Sequence, residues 1–211
     1  RAILRAADYA RQLRGEVRMM FPMITTLEEI HRVQRMVAGV KRQLTKEDKP
    51  FADVPIGLMV EVPAAAISID SMLPQVDFVS IGSNDLVQYL MAADRDNPKV
   101  AHLCQPLAPA VLQVLTDVVR KCNAAGRTVT VCGEMAGQPR AFALLLGMGV
   151  RSFSMSPAFI PYIKEWVKHL SIADAVKFLQ HALTLHTTGK VAHYLTEQLK
   201  RLSPDFERFD F

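Results

Sequence analysis

The sequence predicts a parallel α/β fold, a portion of a (β/α)8 TIM-type barrel. Two observations predict it. Short β-rich apolar runs recur along the chain, each followed by a longer stretch with helical spacing. The runs are also apolar throughout, as in Ile56-Gly57-Leu58-Met59-Val60, which is the pattern of strands buried on both faces in a parallel sheet covered by helices.

Residues 1–18 alternate basic with small apolar positions, and the chain opens at Arg1 inside a helical stretch. The first strand run spans residues 17–23. Leu27-Glu28-Glu29-Ile30-His31-Arg32-Val33 then repeats apolar residues at three and four, with Thr25 or Thr26 as N-cap candidates. Residues 46–53, rich in charge and carrying Pro50, read as an exposed loop. Strand runs follow at 56–62 and 76–82. Residues 109–125 form a second clear helical segment that stops at Gly126, a C-cap glycine before the run at 128–133. The last run is 152–156, and residues 203–211 read as a tail. Five strand–helix units do not close an eight-stranded barrel. The expectation is therefore an N-terminally truncated portion, about five of eight strands, with the upstream strands absent and neither an internal repeat nor a linker.

With 211 residues, 50% of them hydrophobic, the chain can bury a sizeable core as one domain over residues 1–211. No run of about 18 apolar residues and no signal-peptide core is present, so neither a membrane span nor export is expected. Three cysteines, Cys104, Cys122 and Cys132, without a CxxC pair, suit reduced thiols in the cytoplasm. The net charge of +4 is spread among acids along helical stretches, which argues for a solvated surface and against nucleic acid. His31, His102, His169, His181, His186 and His193 fall in helical stretches, and Met19, Met20, Met23, Met59, Met148 and Met155 at strand or core positions.

Polar residues interrupt the pattern at the C-terminal ends of the strand runs, the rim that carries the active site in a parallel barrel. Glu61 ends the second run, Ser83-Asn84-Asp85 the third, and Cys132-Gly133-Glu134 the fourth. Hard carboxylate oxygens of Glu61 and Asp85 on neighbouring strands suit Mg²⁺ or Mn²⁺, although each carboxylate taken alone reads equally as a helix cap or an ion-pair partner. Asn84 can donate its amide to a phosphate, and Arg95 can clamp a phosphate or carboxylate, or else pair with Asp94 or Asp96. Cys132, at a strand end beside a glycine turn, can serve as acid, base or nucleophile. Cys104 and Cys122 read as small core residues.

The stretch Asp77-Phe78-Val79-Ser80-Ile81-Gly82-Ser83-Asn84-Asp85-Leu86-Val87-Gln88-Tyr89, continuing to Ala93-Asp94-Arg95, resembles the C-terminal signature of the phosphoenolpyruvate-utilising enzymes. Met20-Phe21-Pro22-Met23, Gly57-Leu58-Met59-Val60-Glu61-Val62-Pro63, Val131-Cys132-Gly133-Glu134-Met135-Ala136-Gly137 and Ser152-Phe153-Ser154-Met155-Ser156 follow the family's landmarks in order. Cys-Gly-Glu-Met-Ala-Gly is similar to the phosphotransferase-system enzyme I branch. Pyruvate phosphate dikinases and phosphoenolpyruvate synthases, the alternatives within the family, usually carry other residues after Cys-Gly.

The resemblance implies a domain that binds phosphoenolpyruvate (PEP) and Mg²⁺, with Mn²⁺ as substitute. Glu61 and Asp85 match the metal ligands, Asn84, Asp85 and Arg95 the substrate contacts, and Cys132 the acid that protonates the enolpyruvate carbon. It also implies a homodimer, release of pyruvate, and transfer of the phosphoryl group to a histidine on an N-terminal domain and on to an HPr-type carrier. That phosphohistidine domain is absent from residues 1–211. So are the Arg-Thr motifs of earlier barrel strands, so the isolated chain is expected to be inactive. Gln138 stands where the family more often has Asp. A reading of another class is a catalytically incomplete module that holds PEP or a partner without transferring phosphate.

Overall fold

The computed structural model describes residues 1–203; the tail expected from residue 203 onward lies, beyond that residue, outside the described part. Five strands, β1 (Met19–Phe21), β2 (Ile56–Val60), β3 (Phe78–Gly82), β4 (Thr128–Cys132) and β5 (Ser152–Ser154), form one sheet in the order β1-β2-β3-β4-β5. Every neighbouring pair is parallel. Sequential parallel strands joined by helices are the arrangement of a (β/α) barrel wall.

Helix α1 (Ala2–Gln12) precedes the sheet, and α2 (Leu27–Lys46) joins β1 to β2. Thr26 is the N-cap of α2, and Glu29 accepts hydrogen bonds from the backbone N–H of Thr25 and Thr26 at 2.7 and 3.1 Å. Those bonds hold the Glu29 carboxyl below its ordinary range. The helix runs on to Lys46, and the charge-rich segment that follows is the loop expected there. Two short helices, α3 (Pro63–Ile67) and α4 (Ile69–Met72), lead to β3, and α5 (Ser83–Met91) starts at the residue after it. Then come α6 (Pro109–Ala124), ended by Gly126 at φ 66°, and α7 (Pro139–Met148). After β5 the chain forms α8 (Ile160–His169), α9 (Ile172–Ala182) and α10 (Thr188–Leu202).

The main core lies between the sheet and these helices. Leu58, Val60, Val79, Ile81, Val129 and Val131 point from the strands into it, and α7 contributes Ala141 to Leu145, all buried. A smaller cluster of Leu4, Ala7, Val37, Leu44, Ala52 and Val54 ties α1 and α2 to the loop before β2.

Helices therefore cover one face of the sheet, and the central strand β3 is nonetheless buried on both, at Val79 and Ile81 toward the helices and at Ser80 and Gly82 on the other side. The other face alternates out of the core with period two: Met20, then Met59 and Glu61, Ser80 and Gly82, Thr130 and Cys132, Ser152 and Ser154. Met20 and Met23 are exposed rather than core, and His186 falls in the turn between α9 and α10 rather than in a helix. No helix among the described residues is long and apolar enough to cross a membrane.

Candidate active site

Glu61 follows the last residue of β2 and is 4% exposed. A buried carboxylate needs compensation. The backbone N–H of Met23 donates to its Oε1 at 2.7 Å, and Met23 reaches that position with φ of 54°, a left-handed conformation unusual for a side chain of its size. Oε2 accepts no hydrogen bond among the described residues. The carboxylate lies over Gly82, where a Cβ would meet Oε2 at 2.7 Å.

Gly82 is also the register partner of Cys132 at the end of β4. Glu61 and Cys132 thus flank one glycine on the face of the sheet that helices leave open. The Cys132 thiol donates to the Ile81 carbonyl at 3.3 Å and accepts from Ser80 Oγ at 3.6 Å.

The third strand feeds directly into α5, so Asn84 and Asp85 occupy its first turn, where backbone N–H groups are free for an anion. Two bonds dock that turn onto β4: Ser83 Oγ donates to the Cys132 carbonyl at 2.8 Å, and Asn84 Oδ1 accepts from the Glu134 N–H at 3.1 Å. The approach is close enough that Gly133, at φ 110°, has no room for a side chain; a Cβ would sit 2.5 Å from Ser83 Oγ and 2.7 Å from Asn84 Oδ1. With Oδ1 engaged, the Asn84 amide N–H groups are free to donate outward.

Arg95 pairs with neither Asp94 nor Asp96. Its Nη1 donates to Asp85 Oδ1 at 3.1 Å, and Asp85 Oδ2 accepts nothing from the described residues. The loop that carries Arg95 is tied back by its own N–H to Gln88 Oε1 at 3.0 Å, and by Cys104 Sγ to the Ala93 carbonyl at 3.1 Å.

A cleft of about 280 Å³ is lined by Ser83, Asn84, Arg95, Cys104, Gln105 and Glu134, among others. A second, of about 290 Å³, meets it at Asn84 and is lined also by Gly133, Ser154, Met155 and Phe159. Neither is lined by Glu61, Asp85 or Cys132. The five sequence-selected residues divide in two groups, Glu61 and Cys132 at strand ends on the sheet face and Asn84 and Arg95 along the cleft, with Asp85 bonded to Arg95.

Asp85 and the Arg95 guanidinium pair beside the cleft that Glu134 lines, and Glu61 lies at the end of β2. No group of three or more His, Cys, Asp or Glu side chains among the described residues is placed to hold a metal. The free oxygens of Glu61 and Asp85 match the habit of Mg²⁺, which takes one or two carboxylates and completes its shell with water and substrate. Sequence reasoning missed Met23, whose contribution is a backbone N–H. It also missed that Cys104, which packs against the core as expected, lines the cleft as well, and it missed Ser80. Cys122 does behave as core: it is fully buried, and burial pushes its thiol up to about 12.

Residues 1–172 match the family described as "PEP-utilising enzyme, PEP-binding domain". The chain is 42% identical over 191 residues to the phosphoenolpyruvate-protein phosphotransferase of Buchnera aphidicola subsp. Acyrthosiphon pisum, covering 90% of this chain and 33% of the relative. It is 39% identical over 201 residues to that of Bacillus subtilis, covering 95% and 34%, and 38% identical over 200 residues to that of Haemophilus influenzae, covering 94% and 34%. The chain thus spans about a third of the length of these relatives. Among solved structures, a citrate lyase from Burkholderia xenovorans aligns with a TM-score of 0.54 at 20% identity, over 100% of this chain and 68% of that one, which shows the shared fold alone.

Proposed function

This chain belongs to the family of PEP-binding domains of PEP-utilising enzymes, and on that premise we propose that it is the PEP-binding part of a phosphoenolpyruvate-protein phosphotransferase, which passes the phosphoryl group of PEP to a protein histidine and releases pyruvate. The observation that carries the reading is the flanking of Gly82 by the Glu61 carboxylate and the Cys132 thiol, beside the first turn of α5. One face of the sheet thereby offers a cation site, a proton source and an anion-binding helix end.

Glu61 and Asp85 would hold Mg²⁺, which when bound neutralises charge on the phosphate. Asn84 donates its amide to a phosphate oxygen, and the N–H groups of the α5 first turn face the same anion. Arg95 moves from Asp85 to the substrate. The exchange costs little, because the side chains of that pair are 40% and 35% exposed and such pairs contribute about 0–1 kcal/mol. It also frees both oxygens of Asp85. Cys132 delivers its proton to the terminal carbon of the enolate, giving pyruvate.

By the same family reading the acceptor histidine lies on a separate domain and hands the group to an HPr-type carrier, and the protein is a homodimer. Exposed Ile160, Tyr162, Val167 and Ile172 on α8 and the start of α9 support such a contact.

In the complete enzyme, Cys132→Ala is expected to abolish pyruvate formation while calorimetry still detects metal-dependent PEP binding. Unchanged turnover would refute the acid role, and loss of binding would refute the division of labour between thiol and carboxylates.

A further inference from the structure

We propose that Ser80 is a positioning residue for Cys132, orienting its thiol and stabilising the thiolate left when the proton is given up. The idea rests on the acid role proposed above, but its evidence is geometric.

In parallel register Gly82 faces Cys132 and Ser80 faces Thr130, so Ser80 lies one step down the same face from the thiol. The sulfur leans back across β3. There it meets two groups of opposite kind, accepting from Ser80 Oγ at 3.6 Å and donating to the Ile81 carbonyl at 3.3 Å.

Ser80 is 5% exposed, in a strand otherwise built of Phe78, Val79, Ile81 and Gly82. Its hydroxyl makes no other side-chain hydrogen bond among the described residues. Thr130, the neighbour that might compete for it, turns its Oγ1 the other way, to Ser152 Oγ at 3.1 Å. A buried hydroxyl whose sole side-chain partner is a thiol is placed for that thiol.

The two partners act at different moments. Before transfer, the Ile81 carbonyl parks the S–H and fixes its rotamer. When Cys132 protonates the enolate, the S–H bond breaks, a C–H bond forms from the enolate electron pair, and sulfur keeps the S–H pair as thiolate. The Ile81 oxygen then has nothing to accept, and the Ser80 O–H is the donor that remains on the anion. Water returns the proton at the end of the cycle.

The test is alkylation of the 211-residue chain by iodoacetamide at pH 8, with the rate at each cysteine read by mass spectrometry. Ser80→Ala should slow Cys132 about ten-fold, the loss of one hydrogen bond to a charged acceptor, while Cys104 keeps its rate. Ser80→Thr, which restores the hydroxyl, should return Cys132 to within about two-fold of the parent. A Cys132 rate unchanged or raised in Ser80→Ala, a parallel change at Cys104, or no rescue by Thr would overturn the proposal. A second readout needs no change at Ser80: the S–H stretching band of Cys132, isolated by subtracting the spectrum of Cys132→Ala, should lie below that of a free thiol in water-poor solvent. A band at the free-thiol position would equally overturn it. Neither readout involves PEP, so failure here leaves the PEP-binding reading intact, and failure of PEP binding leaves this result standing.

Discussion

Gly82→Ala is the most diagnostic single change outside the chemistry itself. The glycine sits at φ −80° and ψ 86°, which alanine can adopt, so its effect comes from space and not from backbone strain. The new methyl would lie 2.7 Å from Glu61 Oε2, 3.0 Å from Glu61 Cβ and 3.0 Å from Met59 Sδ. Two of these contacts involve the carboxylate side chain, which moves only by weakening its 2.7 Å bond from the Met23 N–H. Overpacking of this kind costs about 1–3 kcal/mol, offset by about 0.4–1 kcal/mol from the stiffer unfolded chain. The expected net loss is about 1–2 kcal/mol, a fall of roughly 0.5–1 M in the urea midpoint for a slope near 2 kcal/mol/M. Metal-dependent PEP binding should weaken at least about ten-fold, equivalent to about 1.4 kcal/mol, because the displaced oxygen is the one proposed to hold the cation. Gly39→Ala is the control: it lies within α2 with only Arg42 Nη2 near its Cβ, at 3.8 Å, and should stabilise by about 0.5–1 kcal/mol without touching binding. A Gly82→Ala protein as stable as the parent and binding PEP equally well would show that Glu61 does not need that space.

Gly133→Ala combines a positive φ with contacts of 2.5 and 2.7 Å and should cost about 2–4 kcal/mol in urea unfolding. Met23→Gly relieves a left-handed residue and should stabilise by about 1 kcal/mol, since the bond to Glu61 comes from the backbone and is kept. Cys122 yields a pH dependence: its thiol is raised to about 12, by burial first and by Asp70 second. The folded state therefore holds a proton that the unfolded state releases near pH 9, so ν_N exceeds ν_U in this window. Stability should fall between about pH 9 and 12, by up to about 1.4 kcal/mol per unit from this group, and Cys122→Ala should flatten that slope in unfolding measured across the range.

The polar ends of the strand runs were legible because each breaks an otherwise apolar segment. Val60-Glu61-Val62 and Gly82-Ser83-Asn84-Asp85 have no packing reason to carry charge, and the structure sets them where the strands stop. The helix ending at Gly126 was equally plain, since a left-handed cap favours glycine. What escaped depends on relations between segments. Nothing in Phe78-Val79-Ser80 reveals that its serine lies under a thiol 52 positions later; that needs the β3–β4 register. Met23 acts through its N–H, which no side-chain pattern encodes. The partner of Arg95 was sought among adjacent acids, whereas the Gln88-anchored loop folds it back onto Asp85. The continuous apolar character of β2 pointed to burial on both faces, and Gly57 is buried on the face away from the helices while Met59 there is half-buried.

Whether Glu61 and Asp85 hold a divalent cation together with PEP is measured most directly by Mn²⁺ binding to the chain itself, followed by water-proton relaxation with and without PEP. Mn²⁺ should bind, PEP should strengthen its binding, and the Glu61→Gln, Asp85→Asn double variant should lose it while keeping its fold. Mn²⁺ binding indifferent to PEP, or retained in the double variant, would contradict a shared site at these two carboxylates.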